Sequence, residues 1–294
     1  MRGHFGWALA SVVSVGIGGL GAALAADLPV KAPPIVPVIY NWTGCYVGVN
    51  GGWKGGRFHD TAATPAGTAS IPGLAPIPFA ADFIDLGHLN ADSGAVGGQV
   101  GCRWETASHW VFGVEGDLDW TDLHGTITAR TAGTGGSVFI PGDFYDNRSR
   151  WEGSLRGIVG RSFDKWLLYV TGGLAAADVS MTGNFIPTVV ARIPFPGSTG
   201  SDDKTLYGFT IGAGAAYAFA PNWDIGAEYR YSKYSGDNFG LGPVAAVCGF
   251  TTQIAAIGPT CVNTLVTGHK DLETNEVLIK LNYRFNSGPV VAKY

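Results

Sequence analysis

From Thr43 to Phe285 the chain repeatedly alternates large apolar residues with small or polar ones at a period of two, the signature of strands with unlike faces. In residues 223–234, Trp223, Ile225, Ala227, Tyr229 and Tyr231 share one parity, and Asp224, Gly226, Glu228, Arg230 and Ser232 share the other. Eight segments of this kind are long enough to cross a bilayer as tilted strands of ~9–11 residues: 43–53, 92–104, 110–121, 149–162, 166–178, 204–219, 223–234 and 273–285. The connections 105–109, 163–165 and 220–222 are short, whereas 54–91, 122–148, 179–203 and 235–272 are long. Tight turns at one end and long loops at the other predict an all-β, eight-stranded antiparallel up-and-down transmembrane barrel. The short turns and both termini then fall on the periplasmic side, and the long loops are extracellular.

Soluble sandwiches and barrels also string short strands together, so the placement of aromatic residues matters. Trp110, Trp166 and Trp223 follow short turns and Trp104 precedes one, while Trp53, Trp120, Trp151 and Tyr231 lie toward the opposite strand ends. Rings gathered at both ends form the girdles expected of strands crossing two membrane interfaces. The large-residue parity is therefore the lipid face, and a Tyr229→Arg change on it is expected to cost ~2–4 kcal/mol near the midplane. The other parity carries Gln99, Arg103, Glu115, Asp117, Glu152, Arg156, Glu228, Arg230, Lys280 and Arg284, which point into the lumen. An eight-stranded lumen is just wide enough to be filled by side chains, so these charges are expected to pair with one another. Centring each hairpin on its short turn puts Asp117 opposite Gly97, Arg156 opposite Gly173, Glu228 opposite Gly214 and Arg230 opposite Gly212. Glycine there leaves room for a long charged side chain.

Composition agrees with this reading. Charged residues make up only 14%, aromatics reach 12%, and 45 glycines are spread through the patterned segments. A net charge of -4 without any Lys/Arg run argues against a nucleic-acid partner. The first residues, with Arg2, an apolar stretch from Phe5 to Leu20 and the small-x-small site Ala23-Leu24-Ala25, read as a signal peptide cleaved after Ala25. Pro29, Pro33, Pro34 and Pro37 then mark 26–42 as an extended periplasmic linker, and 286–294 forms a tail beyond the last strand.

The stretches "AADLPVKAPP", "YNWTGCYVGVNGGW" and "LNYRFNSGPVVAKY" resemble the outer-membrane immunogenic protein family, small porin-like eight-stranded barrels of Gram-negative bacteria. The resemblance is close at the signal junction and at the first and last strands, and by pattern in between. It implies an integral outer-membrane protein with surface-exposed loops and an immunogenic or envelope-stabilising role, in a family of which some members are reported to bind haem. Cys45 departs from the pattern, standing where an aromatic is usual.

Export makes disulfides available to the four cysteines. Cys248 and Cys261, in the last long loop, are expected to be bridged; Cys45 and Cys102, on the lipid-facing parity of the first two strands, are left open between bridged and free. Metal binding by these cysteines is not expected, because no C-x-x-C or paired-His spacing exists. His59, His88, His124 and His269 fall in the predicted loops, where solvated histidines are expected; their convergence on haem is the alternative. Asp82, Asp85 and His88 could supply a base and an acid, but no nucleophile signature accompanies them, so no enzyme is expected. The functional expectation is a structural, surface-exposed barrel with a largely plugged, charge-paired lumen and no cofactor. Its partners are outer-membrane lipid and the assembly machinery of the periplasm and outer membrane. A small-solute channel and a loop receptor for haem or a host ligand are the alternatives.

Overall fold

A computed structural model of the chain describes residues 40–70, 75–134, 138–190, 193–249 and 260–285. The predicted leader, the linker up to residue 39 and the tail lie outside the described residues. The elements are β1 (Gly44–Thr64), β2 (Gly67–Ala69), β3 (Ile77–Phe79), β4 (Asp82–Glu105), β5 (Trp110–Thr128), β6 (Phe144–Phe163), β7 (Trp166–Phe185), β8 (Thr188–Val190), β9 (Ile193–Phe195), β10 (Ser198–Ala220), β11 (Trp223–Gly249) and β12 (Thr260–Phe285). Eight of them close an antiparallel barrel in the order β1-β12-β11-β10-β7-β6-β5-β4, and β2-β3 and β8-β9 are small hairpins between barrel strands. Each barrel strand pairs with its sequence neighbour in the barrel, and β1 closes the ring against β12.

Followed around the ring, the registers accumulate an offset of about ten residues, which for eight strands corresponds to a tilt of about 40°. Each residue then climbs roughly 2.5 Å along the barrel axis. At that pitch Trp104, Trp110, Phe163, Trp166, Phe219, Trp223 and Phe285 form one exposed ring. Trp53 and Trp120, also exposed, stand roughly 24 Å higher with Tyr231 and the half-buried Trp151, which matches the ~25 Å apolar band of such barrels.

The strands do not stop at the upper ring. They run from 19 to 27 residues, against the ~9–11 needed to span, and rise roughly 20 to 40 Å beyond it. The predicted long loops 54–91, 122–148, 179–203 and 235–272 are thus largely strand. The reason they read as loops is an inversion of polarity at the upper ring. Below it the outer face is Val, Leu, Ile and aromatic; above it the same face carries Arg57 and His59 on β1, Asp122 and His124 on β5, and Asp203 and Ser201 on β10. The inner face switches the opposite way, from charged residues to a core containing Phe58, Leu123, Tyr145, Met181, Tyr234 and Phe239. The β4–β5 ladder ends upward at Ala95/Thr121 and the β10–β11 ladder at Gly208/Tyr234, while the other ladders continue. The lower storey is solvated by lipid and polar inside, whereas the upper storey is two four-stranded sheets, β4-β1-β12-β11 and β5-β6-β7-β10, facing each other across an apolar core as in a water-soluble sandwich, each buried aromatic contributing ~1.5–3 kcal/mol.

Both ends of the barrel are capped. Above, Val138 and Phe139, between β5 and β6, turn inward and are buried. Asp82 holds them there, accepting hydrogen bonds from the Val138 and Phe139 amides at 3.0 and 3.2 Å. Below, Trp42 lies fully buried in the periplasmic mouth among Val111, Ile158 and Leu167, with Tyr40 packed against this cluster. The Trp42 amide donates to Glu105 at 2.8 Å. Residues 40–42 therefore belong to the barrel's closure and not to the linker.

Candidate functional site: the lumenal charge network

At membrane depth, inward parity on six barrel strands brings seven carboxylates (Glu115, Asp117, Asp119, Glu152, Asp224, Glu228, Glu276) and six cations (Lys54, Arg103, Arg156, Arg230, Lys280, Arg284) into the lumen, all buried. The centre is Arg156 of β6. Its guanidinium donates to Glu115 at 2.6 Å and to Asp117 at 2.9 Å, both on the neighbouring β5, and to Glu228 across the lumen on β11. Lys280 of β12 joins the same Glu115 and Glu228, the latter at 3.1 Å. Tyr46 donates to the remaining oxygen of Glu115 at 2.6 Å, and Tyr169 donates at 3.0 Å to the Glu228 oxygen that Lys280 also contacts.

One level higher, Arg230 reaches Asp117 and Asp119 at 3.0 Å each and Glu276 at 3.3 Å. Lys54 bridges Glu152 and Glu276, and Tyr234 caps Glu152 at 2.8 Å. Oxygens of Asp119, Glu152 and Glu276 lie within 4.8 Å of one another, with Lys54 and Arg230 set among them. One level lower an amide relay runs from Asn50 to Gln99 (2.9 Å), from Gln99 to Asn282 (2.8 Å) and from Asn282 to Asp224 (2.8 Å). Arg103 lies 3.6 Å from Asp224 and over the Tyr46 ring. Arg284 stands apart from the network at the mouth, donating to the Asn41 carbonyl and stacking over Tyr40.

Burial removes these ions from water at a cost of several kcal/mol each, which is recovered only where geometry is good and spare lone pairs are met. Glu115 and Glu228 meet that condition through shared cations and tyrosine caps, whereas Glu276 is held by ion pairs alone and the Nε atoms of Arg103, Arg156 and Arg230 have no hydrogen-bond acceptor among the described residues. Space is supplied by glycine: a Cβ on Gly214, opposite Glu228, would fall 2.6 Å from the Tyr169 ring that caps that carboxylate. Gly173 faces Arg156 and Gly212 faces Arg230, as the turn-centred registers predict. The first hairpin differs. Its turn spans Thr106–His109, with His109 at φ 64°, which sets Asp117 opposite Gln99 and gives Gly97 to Asp119.

Among the lumenal charges, Lys54, Asp119, Asp224 and Glu276 were not singled out from the sequence, although each shares the inward parity of its strand. Trp42 precedes the alternation, so no periodic signal marked it. Cys45 and Cys102 are cross-strand partners on β1 and β4 and are joined by a disulfide. Cys248 and Cys261 are backbone register partners on β11 and β12; their side chains lie outside the described residues. The histidines stand on strands, not loops: His59 on β1, His88 on β4, His124 on β5 and His269 on β12. Among these four described histidines, only His59 and His88 are in ring contact. Asp82 faces inward, away from Asp85 and His88 on the outer wall, so the three form no common site.

The family model for the outer membrane protein beta-barrel domain matches residues 18–285. The chain belongs to this family. It is 31% identical over 223 residues to the 31 kDa outer-membrane immunogenic protein of Brucella melitensis, covering 72% of this chain and 80% of the relative. It is 30% identical over 164 residues to a 22 kDa outer membrane protein of Rhizobium leguminosarum, covering 55% and 64%. Among solved structures, the outer membrane protein OprG from Pseudomonas aeruginosa aligns with 84% of this chain and 100% of its own, at 8% identity and a TM-score of 0.38. The protein is thus an outer-membrane β-barrel whose relatives include outer-membrane immunogenic proteins.

Proposed function

We propose that this family member is a non-conducting, non-enzymatic pedestal: a lipid-anchored ring that continues as a rigid extracellular storey and holds its connecting loops well above the outer leaflet. What supports the reading is the set of side chains packed across the interior at three levels: Trp42 at the mouth, the Arg156 and Arg230 networks at membrane depth, and Phe139 above. A permeating ion would have to displace buried carboxylates from cations they already neutralise, at several kcal/mol per broken pair. Eight strands leave no spare width beside those side chains. The role needs no resident cofactor, and its partners are outer-membrane lipid and whatever meets the loops. Planar-bilayer recording on purified, folded protein tests it. Silent membranes are expected; uniform, salt-dependent steps altered by Glu228→Gln would replace the pedestal with a channel.

A further inference from the structure

On the outer wall of the upper storey, roughly 14 Å above the upper aromatic ring, three adjacent strands bring two imidazoles and two carboxylates to one level. His59 of β1 is the register partner of His88 on β4 and of Asp271 on β12. The two rings lie 4.6 Å apart between centroids. His59 Nε2 is 3.3 Å from Asp85 Oδ1, and its Nδ1 is 3.9 Å from Asp271 Oδ2. His59, Asp85 and Asp271 are all partly open to solvent.

A local irregularity creates this grouping. In a regular strand Asp85 and His88, three apart, would face opposite ways. Here the register between β1 and β4 slips at Asp60/Thr61, with Asp60 opposite Gly87 and Thr61 opposite Asp85, so Leu86 is the inserted residue. Leu86 packs toward the core, Gly87 adopts a φ of 81°, and Asp85 and His88 both emerge on the outside. Asp85 Oδ1 also accepts from the Gly87 amide at 2.8 Å, which fixes the carboxylate beside the histidines. Such bulges recur where a strand has to re-aim a side chain.

We propose that His59, His88 and Asp85 form a surface site for a divalent transition-metal ion of the zinc class, with Asp271 orienting His59 from behind. Imidazole nitrogen with carboxylate oxygen suits zinc, nickel or copper over magnesium or calcium, which take oxygen donors. Two donors of a tetrahedral zinc, each ~2.0–2.1 Å from the metal, stand about 3.3 Å apart, the spacing His59 Nε2 and Asp85 Oδ1 already have. Rotation of the exposed His88 ring supplies a third donor, and water completes the shell. Asp271, 3.9 Å from the other nitrogen of His59, stands where a small side-chain shift on metal binding would complete the carboxylate–histidine–metal arrangement that sets tautomer and ring orientation.

Calorimetric titration of Zn²⁺ into untagged protein purified from outer membranes in detergent tests the site. One saturable ion per chain is expected. His59→Ala and His88→Ala should each weaken binding at least tenfold, Asp271→Asn by about tenfold, and His124→Ala on β5 should leave it unchanged. Heat-modifiable gel mobility checks that each variant is folded, and His59→Gln and His88→Gln stand in for any alanine variant that is not. Absence of saturable binding, binding indifferent to both His59 and His88, or equal loss with His124→Ala would overturn the proposal and leave His59 as an imidazole paired only with its carboxylates.

Discussion

Val170 tests the outer face at its most demanding depth. It lies four residues past Trp166 on β7, largely exposed on the outer wall. At roughly 2.5 Å of climb per residue it stands ~10 Å above the lower ring in a band ~24 Å tall, close to the midplane. Val170→Arg should therefore cost ~2–4 kcal/mol. Tyr229 lies about two residues nearer the upper ring, where its hydroxyl donates to Asn275 at 2.6 Å, so Tyr229→Arg falls below the full midplane cost expected from the sequence. Ser201→Arg, on the same outer face of β10 but above the band, should stay within ~0.5 kcal/mol. Urea unfolding of protein inserted in phospholipid vesicles, followed by tryptophan fluorescence, gives all three. An unaffected Val170→Arg, or a Ser201→Arg as damaging as Val170→Arg, would refute both the face assignment and the position of the band.

Arg156→Met leaves Glu115, Asp117 and Glu228 short of a cation, and a loss of ~3–5 kcal/mol in urea unfolding is expected; a neutral result would mean the network is not buried as described. Lys270 lies roughly 13 Å above the upper ring, outside the membrane, between the Phe58 and Phe239 rings, with Asn147 linking it to Asp60. Burial pushes its ammonium down to about 8, Asp60 pulling it back only in part, and burial likewise raises the Asp60 carboxyl. The unfolded lysine keeps its proton to higher pH, so stability should grow by up to about 3 kcal/mol as pH rises from about 8 toward 10.5 and be lost as pH falls through 8. Lys270→Met should flatten that rise in urea midpoints measured across the window. Trp42→Ala removes the mouth's largest buried side chain and should cost ~3–5 kcal/mol in the same assay while bilayers stay silent, because the network above it is intact.

The membrane storey was legible in the sequence because lipid and lumen impose opposite chemistry on alternate residues, and Trp110, Trp120, Trp166 and Trp223 mark where that rule begins and ends. The upper storey obeys the reverse rule. Phe58 and Leu123 face inward and His59 and Asp122 outward, so a test for outward apolar residues reads these continuations as loops. The bulge at Leu86 breaks the parity of β4 as well, hiding the relation of Asp85 to His88. Lumenal parity marked Glu115, Arg156 and Lys280, but which cation meets which carboxylate depends on the accumulated register of eight strands. Trp42 and Phe139 close the ends from outside any strand, where no period exists to expose them.

The rigid upper storey is tested most directly by amide hydrogen exchange on folded protein in micelles. Residues 54–63 and 267–275 should be protected to the same degree as 45–53, because β1 is paired there with both β4 and β12, and β12 with both β1 and β11. Exchange as fast as in the exposed turn 106–109 would mean that these segments are loops and that no pedestal stands above the membrane.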